Sequence, residues 1–229
     1  MSAEPEQIAV EVGEAGTVTA VIYPAEKRNR LKTTLILGHG AGANQFSNFM
    51  RLVSNGLASR GFDVVTFNFL YSERGRGAPD PKPKLELCYE SVMAAARRQR
   101  KLKDNRMIIG GKSMGGRIAS QVAAAGDHKL TGLVFLGYPL HPPGRPEKMR
   151  DAHLNDVHAP MLFIQGSKDT FGTPSELKAV IKRLKLTATI FEIETGDHSF
   201  KVLKSAGKTQ EQVYESIMDE IVTWVTSQK

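Results

Sequence analysis

Cysteine is almost absent: the 229-residue sequence contains one, Cys88, so no disulfide can close within the chain. That excludes a disulfide-stapled scaffold and fits a reducing compartment. Long apolar runs are missing too. No window approaches the roughly 18 residues of a membrane span, and the opening stretch MSAEPEQIAVEVGEAG places glutamates where a secretory leader needs an apolar centre. The expectation is a soluble cytoplasmic protein. There is no internal repeat, low-complexity tract or interdomain linker, so residues 1–229 are read as one domain.

Hydrophobic residues make up 41% and charged residues 24%, the balance of an ordinary globular domain with ample core. Lys and Arg outnumber Asp and Glu by 31 to 24, a formal charge of +7 that raises the question of acidic partners. The placement of the charge argues against nucleic acid. The basic runs at 97–103 and 178–185 close helical patterns, where cations complement the helix dipole, and no aromatic residue interleaves to stack bases. The run Lys27-Arg28-Asn29-Arg30-Leu31-Lys32 reads as a solvated turn in preference to a nuclear address. No nucleic-acid or membrane partner is expected, only a small-molecule substrate, in a monomer or small homo-oligomer.

Along the chain, strands and helices alternate. Residues 8–12 and 17–22 alternate in polarity across Gly13 and Gly16, as in an antiparallel hairpin. Short apolar runs at 33–38 and 63–67 read as buried strands and those at 107–110, 133–136, 161–165 and 188–193 as further strands, separated by helical patterns at 46–60, 85–102, 115–125, 174–184 and 210–225. Residues 71–83 and 139–159 are irregular and read as long loops. This alternation predicts an α/β fold: a mainly parallel, doubly wound sheet in a three-layer α/β/α sandwich, with ligands at the carboxyl ends of the strands.

The strongest chemical signal is Gly110-Gly111-Lys112-Ser113-Met114-Gly115-Gly116, a Gly-x-Ser-x-Gly between a strand and a helix. That is the context of a nucleophile elbow, in which Ser113 stands on a sharp turn and the flanking Gly111 and Gly115 leave room for adjacent backbone. A phosphate-binding glycine loop is the competing reading. It fits poorly, because His39-Gly40-Ala41-Gly42-Ala43-Asn44 has only part of a dinucleotide fingerprint and Asp63 opens the second strand instead of closing it.

A serine nucleophile needs a base and an acid to orient that base, in the chain order Ser, Asp, His for this architecture. Asp169, in Gln165-Gly166-Ser167-Lys168-Asp169, and His198, in Glu194-Thr195-Gly196-Asp197-His198, both follow strands and stand in that order. Rivals are Asp197, Asp151 and Asp156 for the acid, and His141, His153 and His158 for the base. Main-chain N–H groups of Met114 and of Ala41, in preference to Gly42, are the candidate oxyanion donors. His39 is read as a structural support of that loop. No ligand spacing for a metal and no cofactor motif is present.

With Leu37-Gly38-His39-Gly40-Ala41-Gly42, the elbow through Arg117 and this residue order, the chain resembles the α/β-hydrolase fold. Together with Gly137-Tyr138-Pro139-Leu140-His141-Pro142-Pro143-Gly144, these motifs are similar to the small dienelactone-hydrolase-related group, which includes testis-expressed protein 30 and the third subunit of the NSL complex. The resemblance runs from about residue 33 to residue 225. It implies a serine hydrolase without a large cap domain, needing no cofactor, with an open pocket for short esters; some members serve as complex subunits, so a non-catalytic docking module is the rival. Dienelactone hydrolase carries cysteine at its elbow, whereas this chain has Ser113, so lactone chemistry does not carry over. Lys112 adds a charge beside the nucleophile, which either points to solvent or favours an acidic substrate.

Overall fold

A computed structural model describes residues 4–228. The strands are β1 (Glu6–Glu11), β2 (Thr17–Tyr23), β3 (Thr33–Gly38), β4 (Asp63–Phe67), β5 (Arg106–Lys112), β6 (Gly132–Leu136), β7 (Met161–Gly166) and β8 (Ala188–Ile193). They form one sheet in the order β1-β2-β4-β3-β5-β6-β7-β8. The hairpin β1–β2 is antiparallel and β2 joins β4 antiparallel, while β3 to β8 run parallel. Helices are α1 (Asn48–Ser59), α2 (Leu70–Glu73), α3 (Lys82–Arg98), α4 (Met114–Ala125), α5 (Pro174–Leu184) and α6 (Gln210–Ser227).

The pleat sends alternate side chains of each strand to opposite faces, and here both faces are covered. Leu35 and Leu37 of β3 pack with Val53 and Leu57 of α1 and Ile217 and Ile221 of α6. Ile36, between them, packs in a second core with Tyr89 and Val92 of α3 and Ile118 and Val122 of α4. The result is the doubly wound α/β/α sandwich that the alternation predicts. Its connections leave β3 upward to β4 on one side and reach β5 on the other, so the crevice opens where β3 and β5 end.

One loop expectation needs correction. Residues 71–83 are not wholly a surface loop: α2 buries Leu70 and Tyr71, Asp80 is 7% exposed, and α3 begins at Lys82. Pro83 had suggested loop, yet proline suits a first helical turn, whose N–H groups have no intrahelical acceptor. The segment 139–159 is irregular apart from a short 3-10 turn, Ala152–Asp156, but it buries Leu140 and Leu154. No separate cap stands over the carboxyl edge among the described residues, and no described helix is long and apolar enough to cross a membrane. Within the run 27–32, Arg30 ties to Asp63 at 2.9 Å, so this turn is pinned to the start of β4.

Candidate active site

Ser113 occupies the junction of β5 and α4 with φ 50° and ψ −115°, a left-handed backbone for a residue with a side chain. The turn is possible because β3 lies against it. A Cβ on Gly111 would stand 2.2 Å from the Gly38 oxygen, and one on Gly115 2.1 Å from the same atom. Beneath it, the buried Tyr89 hydroxyl lies 2.8 Å from the Ile36 oxygen and accepts from the Gly110 N–H at 3.0 Å, bridging β3 and β5.

Asp169 stands three residues past the end of β7, and His198 five past the end of β8. The structure brings both to Ser113. His198 Nε2 lies 2.8 Å from Ser113 Oγ, and His198 Nδ1 2.8 Å from Asp169 Oδ2. A carboxylate only accepts, so Nδ1–H donates to Asp169 and Nε2 is left to accept the serine O–H. Asp169 is 1% exposed and fully satisfied: Oδ1 accepts from the Phe171 N–H at 2.8 Å and Oδ2 also from Gln165 Nε2 at 2.8 Å. Gln165 in turn donates to the Gly172 oxygen and accepts from the Tyr138 N–H. The His198 ring lies against Phe171, centroids 4.2 Å apart.

The rivals for these positions have other partners. His153 bonds Ser120 at 2.8 Å, His141 bonds Glu176 at 3.1 Å, and Asp151 pairs with Arg183. Asp197 accepts from the Ser199 and Lys201 N–H groups and so shapes the His198 loop. Asp156 and His158 are exposed elsewhere.

The Met114 and Ala41 N–H groups have no protein acceptor among the described residues, and both residues line a cavity with Ser113. His39 is fully buried beneath the Ala41 loop. Its Nδ1–H donates to the Gly40 oxygen at 2.8 Å and its Nε2 accepts from the Phe69 N–H at 3.2 Å, with burial pushing its pKa down to about 4.

Lys112 does not point to solvent. Its ammonium donates to the His198 oxygen at 2.6 Å and lies over the Phe200 ring at 5.2 Å. Burial lowers its pKa to about 8, against the attraction of Asp169 and Asp197. Gln165, Tyr89 and this role of Lys112 were not legible in the sequence, since each depends on a partner far along the chain.

Two cavities flank Ser113. One, about 340 Å³, is lined by Ala41, Phe49, Lys112 and Tyr214; the other, about 330 Å³, by Leu85, Arg117, Pro139, Arg150 and Phe171. Both fall in the range of small-ligand sites. A larger hollow of about 460 Å³ lies at the opposite edge of the sheet, between the end of α4 and the segment entering β7, away from Ser113. Among the described residues no cluster of three or more His, Cys, Asp or Glu side chains is arranged to hold a metal ion.

The fold is similar to that of several solved proteins. A serine hydrolase without a lid from Xanthomonas campestris superposes with a TM-score of 0.76 at 20% identity, covering 98% of this chain and 96% of that one. Dienelactone hydrolase from Anabaena variabilis gives 0.76 at 16% identity, covering 99% and 98%. The esterase domain of a Rhodothermus marinus protein gives 0.72 at 11% identity, covering 97% and 98%. Residues 31–226 match the family model described as alpha/beta hydrolase domain, and the chain therefore belongs to the α/β-hydrolase family.

Proposed function

We propose that this protein acts as a single-domain serine hydrolase, a carboxylesterase or related acyl hydrolase for small esters. The observation that carries the reading is the continuous hydrogen-bonded chain Ser113–His198–Asp169, with both links at 2.8 Å. Ser113 Oγ attacks the ester carbonyl while His198 Nε2 takes its proton. The oxyanion that forms accepts from the N–H groups of Met114 and Ala41. Collapse of this intermediate expels the alcohol, which takes the proton back from His198, and leaves an acyl group on Ser113. Water, deprotonated by His198, then releases the acid and restores Ser113. Asp169 holds the imidazole tautomer throughout. The absence of a cap among the described residues and the two open cavities support small, short-chain substrates.

A fluorophosphonate probe tests the reading, applied to wild type, Ser113→Ala and His198→Ala with the adduct located by peptide mass spectrometry. An adduct on Ser113 that requires His198, with turnover of short 4-nitrophenyl esters falling by about 10⁴ or more in Ser113→Ala, is the expected result. A folded wild-type protein that forms no adduct and cleaves no ester overturns it.

A further inference from the structure

We infer that Arg117 and Arg150 form a recognition site for an anionic group, a carboxylate or phosphate, carried by the ester that Ser113 attacks. The inference rests on the hydrolase reading of Ser113.

Arg117 lies four residues beyond Ser113 on α4, and Arg150 comes from the irregular segment before β7. Both line the cavity of about 330 Å³ that also contains Ser113 and Met114. Elsewhere several cations, exposed or partly buried, have acceptors. Arg30, Arg60, Arg76 and Arg183 each hold a carboxylate, Arg106 donates to the Gln228 oxygen, and Lys112 to that of His198. Arg117 is different. Its Nε is buried without a hydrogen-bond partner among the described residues, and neither Arg117 nor Arg150 makes a side-chain ion pair there.

The two guanidiniums also stand close enough to repel. Burial and the neighbouring charge of Arg150 both push the Arg117 pKa down, an effect that Tyr138 and Glu86 only partly offset. Asp80 lines the same cavity: its Oδ1 is paired with Arg76 and Lys84, while its buried Oδ2 has no partner among the described residues, and Glu86 is engaged by Lys82. The backbones of both arginines are held beside the cavity. The Arg117 oxygen accepts from Ser120 Oγ, while Arg150 donates its N–H to the Leu140 oxygen and accepts from the Tyr138 hydroxyl.

Desolvating a cation without an acceptor, and holding a second cation beside it, costs free energy that an anion between the two would return. Guanidinium forks match carboxylate and phosphate oxygens in geometry and charge. Leu85, Ile118 and Pro139 add apolar surface to this wall, beside the charged Asp80 and Lys82. The site therefore selects esters with a negative charge a few bonds from the reacting carbonyl.

Two matched substrate pairs test the site: 4-acetoxybenzoate against 4-tolyl acetate, and 4-nitrophenyl hydrogen glutarate against 4-nitrophenyl butyrate. The first places the charge on the alcohol side, the second on the acyl side. The quantity read is the charged-to-neutral ratio of kcat/KM, which a loss of folded protein leaves untouched. Arg117→Met is expected to lower that ratio by about tenfold to a hundredfold in at least one pair, Arg150→Met by less, and Arg117→Lys to retain part of it. A ratio unchanged in both pairs overturns the proposal.

Binding gives a readout that needs no turnover. Glutarate and inorganic phosphate are titrated calorimetrically into Ser113→Ala and into Ser113→Ala/Arg117→Met. Weakening of either anion by about tenfold or more in the double variant supports the site, and whichever anion binds more tightly identifies the natural group. Equal binding to both proteins, or none to either, overturns it. Failure of the hydrolase reading looks different: no ester is cleaved and Ser113 takes no adduct, while Arg117-dependent anion binding remains.

Discussion

The ammonium of Lys112 donates a hydrogen bond to the main-chain oxygen of His198 across 2.6 Å. The residue immediately before Ser113 thus clamps the loop that delivers the imidazole to it. A positioning role predicts that Lys112→Met lowers kcat about tenfold to a hundredfold with little change in KM, since small displacements of a base are costly. Lys112→Arg is expected to recover part of the loss. A structural role alone would lower the active fraction without this split.

The same lysine gives a stability prediction. Its pKa falls from 10.5 to about 8 in the folded protein, so between those values the unfolded chain binds more protons than the folded one. Stability therefore rises as pH is raised from 8 toward 10.5. Melting temperatures across that range are expected to rise in wild type relative to Lys112→Met, and parallel curves would remove the claim.

His39 and His153 carry the acid side. Burial lowers both from 6.5 to about 4, so protons bind the unfolded chain first as pH falls through that window. For the buried His39 this makes folding less favourable by up to about 3 kcal/mol at pH 4. Denaturation at stepped pH should show a shallower acid slope for His39→Gln than for wild type, whatever the variant's stability at pH 7.

Gln165, in β7, joins two loops: it donates to Asp169 at 2.8 Å and to Gly172 at 2.7 Å, and accepts from the Tyr138 N–H at 2.8 Å. Gln165→Met keeps the volume but orphans these buried groups. The expected loss is about 2–4 kcal/mol of stability by denaturant unfolding, together with a fall in kcat/KM on the short 4-nitrophenyl esters proposed as substrates as Asp169 loses a donor. A neutral result in both assays would show that the network has no such role.

Two glycines separate crowding from backbone strain. Gly115→Ala places a Cβ 2.1 Å from the Gly38 oxygen, against backbone that cannot yield, and should cost more than about 3 kcal/mol. Gly207 has φ 66° and open space around its missing Cβ, so Gly207→Ala should cost only about 1 kcal/mol. Comparable losses in the two variants would contradict the close approach of β3 to the elbow.

Periodicity and local chemistry were enough for most of the fold. The helix at 174–184 and the strand at 188–193 stand where the pattern placed them, because helical spacing of apolar residues and a short apolar run are local signals. The segment 71–83 misled, because its buried Tyr71 and Asp80 owe their burial to distant elements that no local pattern records. The helix expected over 85–102 starts instead at Lys82, proline at its first turn being legible either as a break or as a start.

The sequence by itself determined the α/β alternation, the glycine-flanked Ser113 and the order in which Asp169 and His198 follow it, since each is written in neighbouring residues. Only the tertiary structure decided that Lys112 meets His198, that Gln165 meets Asp169, and that Arg117 and Arg150 share one cavity beside Ser113. Strand order in the sheet, not distance along the chain, sets which loops converge, and burial then removes water as the alternative partner for every polar group brought there.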